Sequence, residues 1–121
     1  PSRRTCDLVD ERDERCCVCC GVNLEGMPAS RHHRRMRSHP WPGLHEPSNL
    51  ILVCGSGTTG CHGLIHSHPQ FAYAQGWLLH SWEDQPAAVP INTFAHGWIL
   101  LDDQGGWRPY EPSEQSKENM Q

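Results

Sequence analysis

Long apolar runs are absent from this sequence, and no stretch approaches the roughly 20 residues that a membrane-spanning helix needs. Only 36% of the 121 residues are hydrophobic, which excludes a large apolar core. A net charge of −4 excludes a protein that binds nucleic acids through overall positive charge. We therefore predict one small domain, or one domain with appendages, that has no membrane partner and supplements its core with disulfides or metal.

The sequence also shows no signal peptide, whereas cysteine and histidine are abundant, with seven and nine residues respectively. Four of the cysteines lie within residues 16–20, and the total is odd. Adjacent cysteines rarely pair with each other, so a disulfide framework is disfavoured. The pattern predicts a reduced, cytoplasmic, metal-binding protein in preference to a secreted disulfide scaffold.

The cysteines of residues 16–20 allow two C-x-x-C frames, Cys16 with Cys19 or Cys17 with Cys20. Zinc knuckles commonly place a glycine directly after the second cysteine. There it lets main-chain amides turn toward the sulfur. Gly21 therefore favours the second frame, although the first stays open. Either frame supplies only half of a zinc site, which needs two more ligands.

A second pair, Cys54 and Cys61, is separated by the small-residue loop GSGTTG, which is flexible enough for both thiolates to reach one ion. Together with the first pair it predicts a tetrahedral structural zinc site that joins two distant parts of the chain. A disulfide between two of these cysteines is the disfavoured alternative. The predicted zinc ligands are Cys17, Cys20, Cys54 and Cys61.

Residues 31–37 (RHHRRMR) combine two adjacent histidines with four arginines and no acidic residue. Neighbouring side chains of a strand point to opposite faces, so one of His32 and His33 can face a metal while the other faces a substrate. The arginines would hold an anion, and a phosphate backbone fits them best. A solvated basic turn is the alternative interpretation. The candidate DNA-binding residues are Arg31, Arg34, Arg35 and Arg37.

The apolar run at 49–53 (NLILV) is the clearest strand, and residues 29–33 predict a second, shorter one. A helix is predicted from residue 61, and it brings His62 and His66 onto one face because they are four residues apart. Two ordinary surface histidines are the alternative, but the position directly after a zinc cysteine favours metal ligands. Pro69 either ends this helix or interrupts it before a second segment at 70–76.

We assign the core to residues 16–76. Residues 1–15 are mostly charged and are predicted to be helical or flexible, and residues 111–121 are polar and are predicted to be disordered. Residues 77–110 predict a β extension, with strand composition at 77–82 and a hairpin at 97–110 that turns at residues 102–106. His80 and His96 have no partner at ligand spacing and are expected to be structural.

The order of these motifs resembles that of the HNH endonuclease family. It runs C-x-x-C-G, a double histidine, an asparagine at the head of a strand, and then C…C-H-x-x-x-H. The resemblance covers residues 15–70, and the segment 49–66 is similar to a variant common in bacteriophage proteins of this family. It implies an α+β fold with a small ββα-metal (His-Me finger) core, stapled by a structural zinc and followed by a C-terminal β-hairpin extension.

The resemblance also implies a role for each site residue. His33 matches the general base, and Asn49 matches the residue that orients this base and braces the adjoining loop. His32 matches a ligand of the catalytic metal, where many members of the family have aspartate. His62 and His66 match further ligands of that metal. The implied function is metal-dependent hydrolysis of DNA phosphodiester bonds, by nicking or double-strand cleavage.

Three histidine ligands favour a catalytic divalent metal such as Zn, Ni, Co or Mn over Mg, which prefers oxygen ligands. The resemblance implies double-stranded DNA as partner, and similar phage proteins often act with the terminase large subunit in genome packaging. If the chain is phage-encoded, the host cell cytoplasm is the expected location. The alternative function is a non-catalytic, zinc-stabilised DNA-binding or adaptor module whose histidines pack or bind phosphate.

Overall fold

The computed structural model describes residues 1–36 and 41–111, which form three α-helices, two small β-sheets and connecting turns. The helices are α1 (Arg3–Arg12), α2 (Gly60–Ser67) and α3 (Pro69–Gln75). The strands are β1 (Ala29–His33), β2 (Leu50–Cys54), β3 (Ile91–Thr93), β4 (Gly97–Leu101) and β5 (Trp107–Pro109). The predicted α+β class is therefore confirmed. Within the described residues, no helix is both long and apolar enough to cross a membrane.

Strands β1 and β2 pair in antiparallel register, with His33 opposite Leu50 at one end of the ladder. β2 is buried along almost its whole length, as its continuous apolar run predicts. Helix α2 packs on β2 and buries Ile65 completely. Gly63 permits the close approach of the preceding loop, because a Cβ at this position would lie 2.5 Å from the carbonyl carbon of Thr58.

A buried ion pair fixes the C-terminal end of α1 to the region of β2. Arg12 donates to the carbonyl oxygens of Pro47 at 2.8 Å and Leu50 at 2.6 Å. Asp13 pairs with Arg12 at 2.8 Å and accepts a hydrogen bond from the amide of Leu52 at 3.0 Å. The charged N-terminal segment is thus anchored to β2, which contributes Ile51, Leu52 and Val53 to the core.

The helix is interrupted before Pro69, and a second helix, α3, begins there. This is the second of the two alternatives predicted for Pro69. Proline is tolerated in the first turn of α3 because its missing N–H has no helical partner there. The strand predicted at 77–82 was wrong, because only Leu79 pairs, in a single parallel bridge with Arg35. Trp77 and Leu78 turn into the core directly after α3, so they leave no extended edge to pair.

The C-terminal residues form a three-stranded antiparallel sheet in the order β3–β4–β5. β4 and β5 form the predicted hairpin, and the Asp102 carboxylate holds its turn by accepting from the amides of Gln104 (2.9 Å) and Gly106 (2.8 Å). β3, which is three residues long, was not predicted. The sheet packs into one shared core that includes Ile51, Val53, Ile65, Ile91, Ile99 and Leu101.

Candidate functional site

Four cysteine sulfurs converge where the turn at residues 17–21, here called the knuckle, meets β2 and α2. They all lie within 4.8 Å of one another, and the sulfurs of Cys20 and Cys54 are 3.9 Å apart. A tetrahedral site with Zn–S bonds of about 2.3 Å has sulfur–sulfur edges of about 3.8 Å, so the observed spacing fits. The cluster could therefore hold a structural metal such as zinc, through Cys17, Cys20, Cys54 and Cys61.

The cluster uses the second of the two cysteine frames. Gly21 has a φ of +80°, in the left-handed region that glycine adopts readily, and its amide donates to the Cys17 carbonyl oxygen at 2.8 Å. Cys16 and Cys19 are not among the four converging residues. All seven cysteines are free, so the disulfide alternative finds no support.

The neighbouring sulfurs affect one another's ionisation. A hydrogen bond from Cys19 lowers the pKa of Cys17 to about 4, whereas burial raises the pKa of Cys20 and the pKa of Cys61. Several thiolates so close together repel one another, and a bound divalent cation relieves this repulsion because coordination itself deprotonates a thiol. The chemistry of the donor set therefore fits a thiophilic divalent metal.

A second cluster brings His32 of β1 together with two histidines of α2. One ring nitrogen from each of the three lies within 4.8 Å of the other two. The Nε2 atoms of His62 and His66 are 3.2 Å apart. This is close to the edge of about 3.3 Å expected for two nitrogens bound to one ion at about 2.0–2.1 Å. The four-residue spacing thus brings both rings to the side of the helix that meets His32.

The main chain of a distant segment holds the His32 ring. The residue is 3% exposed, and its Nε2 lies 2.9 Å from the carbonyl oxygen of Trp77. A carbonyl oxygen can only accept, so in the neutral ring we assign the proton to Nε2 and the lone pair to Nδ1. Hydrogen bonds of this kind orient metal-binding imidazoles and fix their tautomer.

Burial of His32 is expected to make the stability of the fold depend on pH. Burial lowers the pKa of His32 to about 3 from its ordinary value of 6.5. Between these values the unfolded chain binds a proton that the folded chain excludes, so stability is lost as the pH falls below about 6.5. We expect the free energy of unfolding of the wild type to drop, relative to His32→Gln, by about 1 kcal/mol between about pH 6.5 and pH 5.5.

Denaturant titrations with one equivalent of zinc at each pH measure this difference. His68→Gln is the matched control, because His68 is exposed in the turn between α2 and α3. Parallel pH dependences for the wild type and His32→Gln would contradict a neutral, buried ring at His32.

His33, on the other face of β1, lies beside a histidine that the sequence analysis missed. Its Nε2 is 3.1 Å from Nδ1 of His45, and the two ring centres are 5.1 Å apart. His45 belongs to the proline-rich loop between β1 and β2. The one sequence signal for it is topological: this loop must return the chain to the start of β2, which pairs with the end of β1.

Asn49 is completely buried and braces the loop between β1 and β2. Its side-chain oxygen accepts from the Arg35 amide at 2.8 Å, and its side-chain nitrogen donates to the carbonyl oxygens of Arg35 (3.2 Å) and Leu44 (2.9 Å). These hydrogen bonds tie Arg35 and Leu44 to the start of β2. The Asn49 amide donates both of its hydrogens to the main chain, while the ring of His33 contacts His45.

Two of the predicted phosphate-binding arginines reach the surface. Arg31 forms a two-point ion pair with Asp10, with nitrogen–oxygen distances of 2.8 and 2.6 Å. The Arg35 guanidinium lies over the Trp41 ring, 4.3 Å from its centre. Among the described residues, no carboxylate pairs with Arg35. The prediction for Arg37 lies outside the described residues, as does that for the tail beyond Glu111.

Arg34 is fully buried, so its predicted role as a phosphate contact was wrong. It lies two residues after His32 and therefore faces inward as well. Burial lowers the pKa of Arg34 to about 9, which leaves the guanidinium charged at neutral pH. It donates to four main-chain carbonyl oxygens at 2.9–3.0 Å, those of Ser48, Gly76, Pro86 and Val89.

Comparisons with protein-family models, with curated proteins and with solved structures find no match for this chain. The function must therefore be inferred from the two clusters, from the residues around them, and from the chemistry that these side chains can perform.

Proposed function

We propose that the chain is a metal-dependent DNA endonuclease of the HNH type, in which β1, β2 and α2 form the ββα-metal core. The observation that carries this proposal is the convergence of His32, His62 and His66, with His33 next in the chain on the other face of β1. A candidate metal site and a candidate base then stand one residue apart, about 3.8 Å along the backbone. Hydrolysis of a phosphodiester needs both within reach of one phosphate.

Three histidine nitrogens would hold the catalytic metal, and this donor set favours Zn, Ni, Co or Mn over Mg. When bound, such an ion stabilises negative charge on the scissile phosphate and on the leaving oxygen. His32 is prepared for this role because burial keeps it neutral and the Trp77 carbonyl fixes its orientation. It can therefore bind a metal at neutral pH without first losing a proton.

His33 is the proposed general base. It takes a proton from water while the water oxygen bonds to phosphorus, and the bond between phosphorus and the 3′ oxygen breaks. Imidazole suits this step because its unperturbed pKa lies near working pH. The contact with His45 holds the ring in one orientation. Arg31 and Arg35 would contact phosphates and so add affinity without reading sequence.

Cleavage of supercoiled plasmid in the presence of Mn, Ni, Co, Zn or Mg tests the proposal. We expect cleavage by the wild type with at least one of the first four metals. We expect His33→Ala to lower the rate by at least about 100-fold, since general bases contribute about 10²–10⁴-fold. His68→Ala controls for the loss of a histidine outside the site. Equal rates for His33→Ala and the wild type would remove His33 as the base.

The same preparations separate the nuclease from the second candidate, a non-catalytic zinc-stabilised DNA-binding or adaptor module. The four-cysteine cluster alone favours that module, because it needs only one structural metal. A second metal equivalent that is lost in His62→Ala and His66→Ala supports the enzyme. One bound metal and no cleavage in any metal would support the module. Copurification with a terminase large subunit tests the proposed packaging partner separately.

A further inference from the structure

Three aromatic rings from α3 and the turn that follows it form a continuous stack. Tyr73 of α3 stacks on His80 with ring centres 3.8 Å apart and planes 13° apart, and His80 stacks on Trp82 at 4.3 Å and 4°. Trp82 is 74% exposed. We call these three residues the aromatic stack. His80, which was expected from the sequence to be structural, supplies the middle ring of the stack.

The short turn that carries the stack is held in place before any ligand binds. The amide of Glu83 donates to the His80 carbonyl oxygen at 3.0 Å, and the Glu83 carboxylate accepts from the His80 amide at 2.8 Å. The amide of Leu79 donates to the Arg34 carbonyl oxygen at 2.7 Å, which fixes the start of the turn to the end of β1. The exposed Trp82 ring is thus presented by an ordered turn, which lowers the entropic cost of stacking on it.

The aromatic stack lies close to the proposed chemistry and to a cationic side chain. A cavity of about 250 Å³ is lined by residues of the stack together with Arg35, Met36 and Leu79. Arg35 comes two residues after His33, and its bridge to Leu79 brings the two segments side by side. The segment that carries the stack also supplies the Trp77 carbonyl that holds His32.

An open aromatic face beside a guanidinium suits a nucleobase together with its phosphate. A base inside a duplex is covered on both faces by its neighbours, so only an unstacked base can use such a face. We propose that the aromatic stack extends through Trp82 onto an unpaired base of the substrate, with Arg35 on the adjoining phosphate. The substrate is then DNA that is single-stranded or locally opened near the scissile bond. This inference rests on the proposed function for its substrate, and it names the substrate class.

Binding of fluorescent DNA to the zinc-loaded full chain tests the inference without requiring cleavage. The probes are a single strand of about 12 nucleotides, its duplex, and a strand of the same length whose sugars carry no bases. We expect Trp82→Ala to weaken binding of the normal single strand by at least about fivefold. The same substitution should leave binding of the base-free strand unchanged, because that strand offers phosphates alone.

Trp107→Ala is the matched control, because Trp107 is also partly exposed and stacks on a histidine, His96, at 4.1 Å. It should bind all three probes as the wild type does. Trp82→Phe should recover affinity because it restores a stacking face. Wild-type affinity of Trp82→Ala for the single strand would overturn the inference. Equal losses on the normal and base-free strands, or no recovery in Trp82→Phe, would overturn it as well.

The outcomes separate this inference from the proposed function. Trp82-dependent binding of single strands without cleavage in any metal would refute the nuclease and keep the stacking site. Cleavage of DNA together with unchanged DNA binding by Trp82→Ala would support the nuclease and refute the stacking site. A loss confined to duplex probes would assign the ring to a groove contact and overturn the unpaired-base assignment.

Discussion

Replacing Cys54 with serine is expected to abolish metal binding by the four-cysteine cluster and to unfold the chain. Cys54 closes β2, Cys61 lies in the first turn of α2, and the other two ligands lie on the knuckle. Loss of one ligand therefore disconnects three segments at once. Structural zinc contributes about 10–16 kcal/mol to small domains, whereas a whole domain is stable by only about 5–15 kcal/mol. With 36% hydrophobic residues, the apolar core cannot make up such a loss.

Two measurements follow the effect of Cys54→Ser. Metal occupancy of the cluster is measured by metal content after dialysis and by the thiolate-to-cobalt absorption band of cobalt-substituted protein. Circular dichroism during heating shows whether the variant unfolds cooperatively. Cys16→Ser is the matched control, because Cys16 is half-buried nearby but outside the cluster. It should keep both the band and the cooperative transition. A Cys54→Ser variant that folds as the wild type does without metal would contradict a structural role for the cluster.

The second large effect is expected for Arg34→Met. Methionine fills much of the same space, but among the described residues it leaves no donor for the carbonyl oxygens of Ser48, Gly76 and Val89, whereas that of Pro86 keeps the Val89 amide at 3.1 Å. Removing one partner of a buried charged network typically costs about 3–5 kcal/mol, because buried polar groups lose their hydrogen bonds. Arg34→Lys keeps the charge but cannot donate in four fixed directions, so we expect an intermediate loss.

Urea denaturation of the zinc-loaded protein measures the stability of both Arg34 variants. Arg35→Met is the matched control, since Arg35 is the next residue in the chain and its guanidinium is only half-buried, over the Trp41 ring. We expect its stability to change by less than about 1 kcal/mol. A loss of that small size in Arg34→Met would show that the carbonyl oxygens of Ser48, Gly76 and Val89 find other donors, and would contradict the stabilising role of the network.

The local parts of the site could be predicted from sequence. Two adjacent histidines on a strand must face opposite sides, two histidines four residues apart on a helix must share a face, and Gly21 after a cysteine pair indicates a knuckle turn. These relations depend only on the geometry of one element. For that reason the shared face of His62 and His66, and the choice of Cys17 over Cys16, agreed with the structure. The resemblance to the HNH family, and not local geometry, led to the choice of His32 as the residue that meets this face.

The parts that failed depend on distant segments. Arg34 looked like one more cation in a basic run, because the carbonyl groups that enclose it come from residues 14 to 55 positions away in the chain. The same limit applies to His45. In the sequence, nothing except the return of the chain to β2 indicates that His45 comes close to His33. Composition misled at 77–82, where apolar side chains serve core packing and an aromatic stack instead of a strand.

The hydrogen bond between His32 and the Trp77 carbonyl sets a limit on how small a working fragment of this protein can be. The His32 ring, which would bind the metal, is oriented by Trp77, and this residue lies beyond the predicted end of the core at residue 76. Arg34 extends the same dependence to Val89. A graft or truncation that kept only β1, β2 and α2 would carry the three histidines proposed to bind the catalytic metal, yet it would lack the segments that orient them. The smallest fragment that could be transferred to another protein therefore includes part of the predicted β extension at residues 77–110.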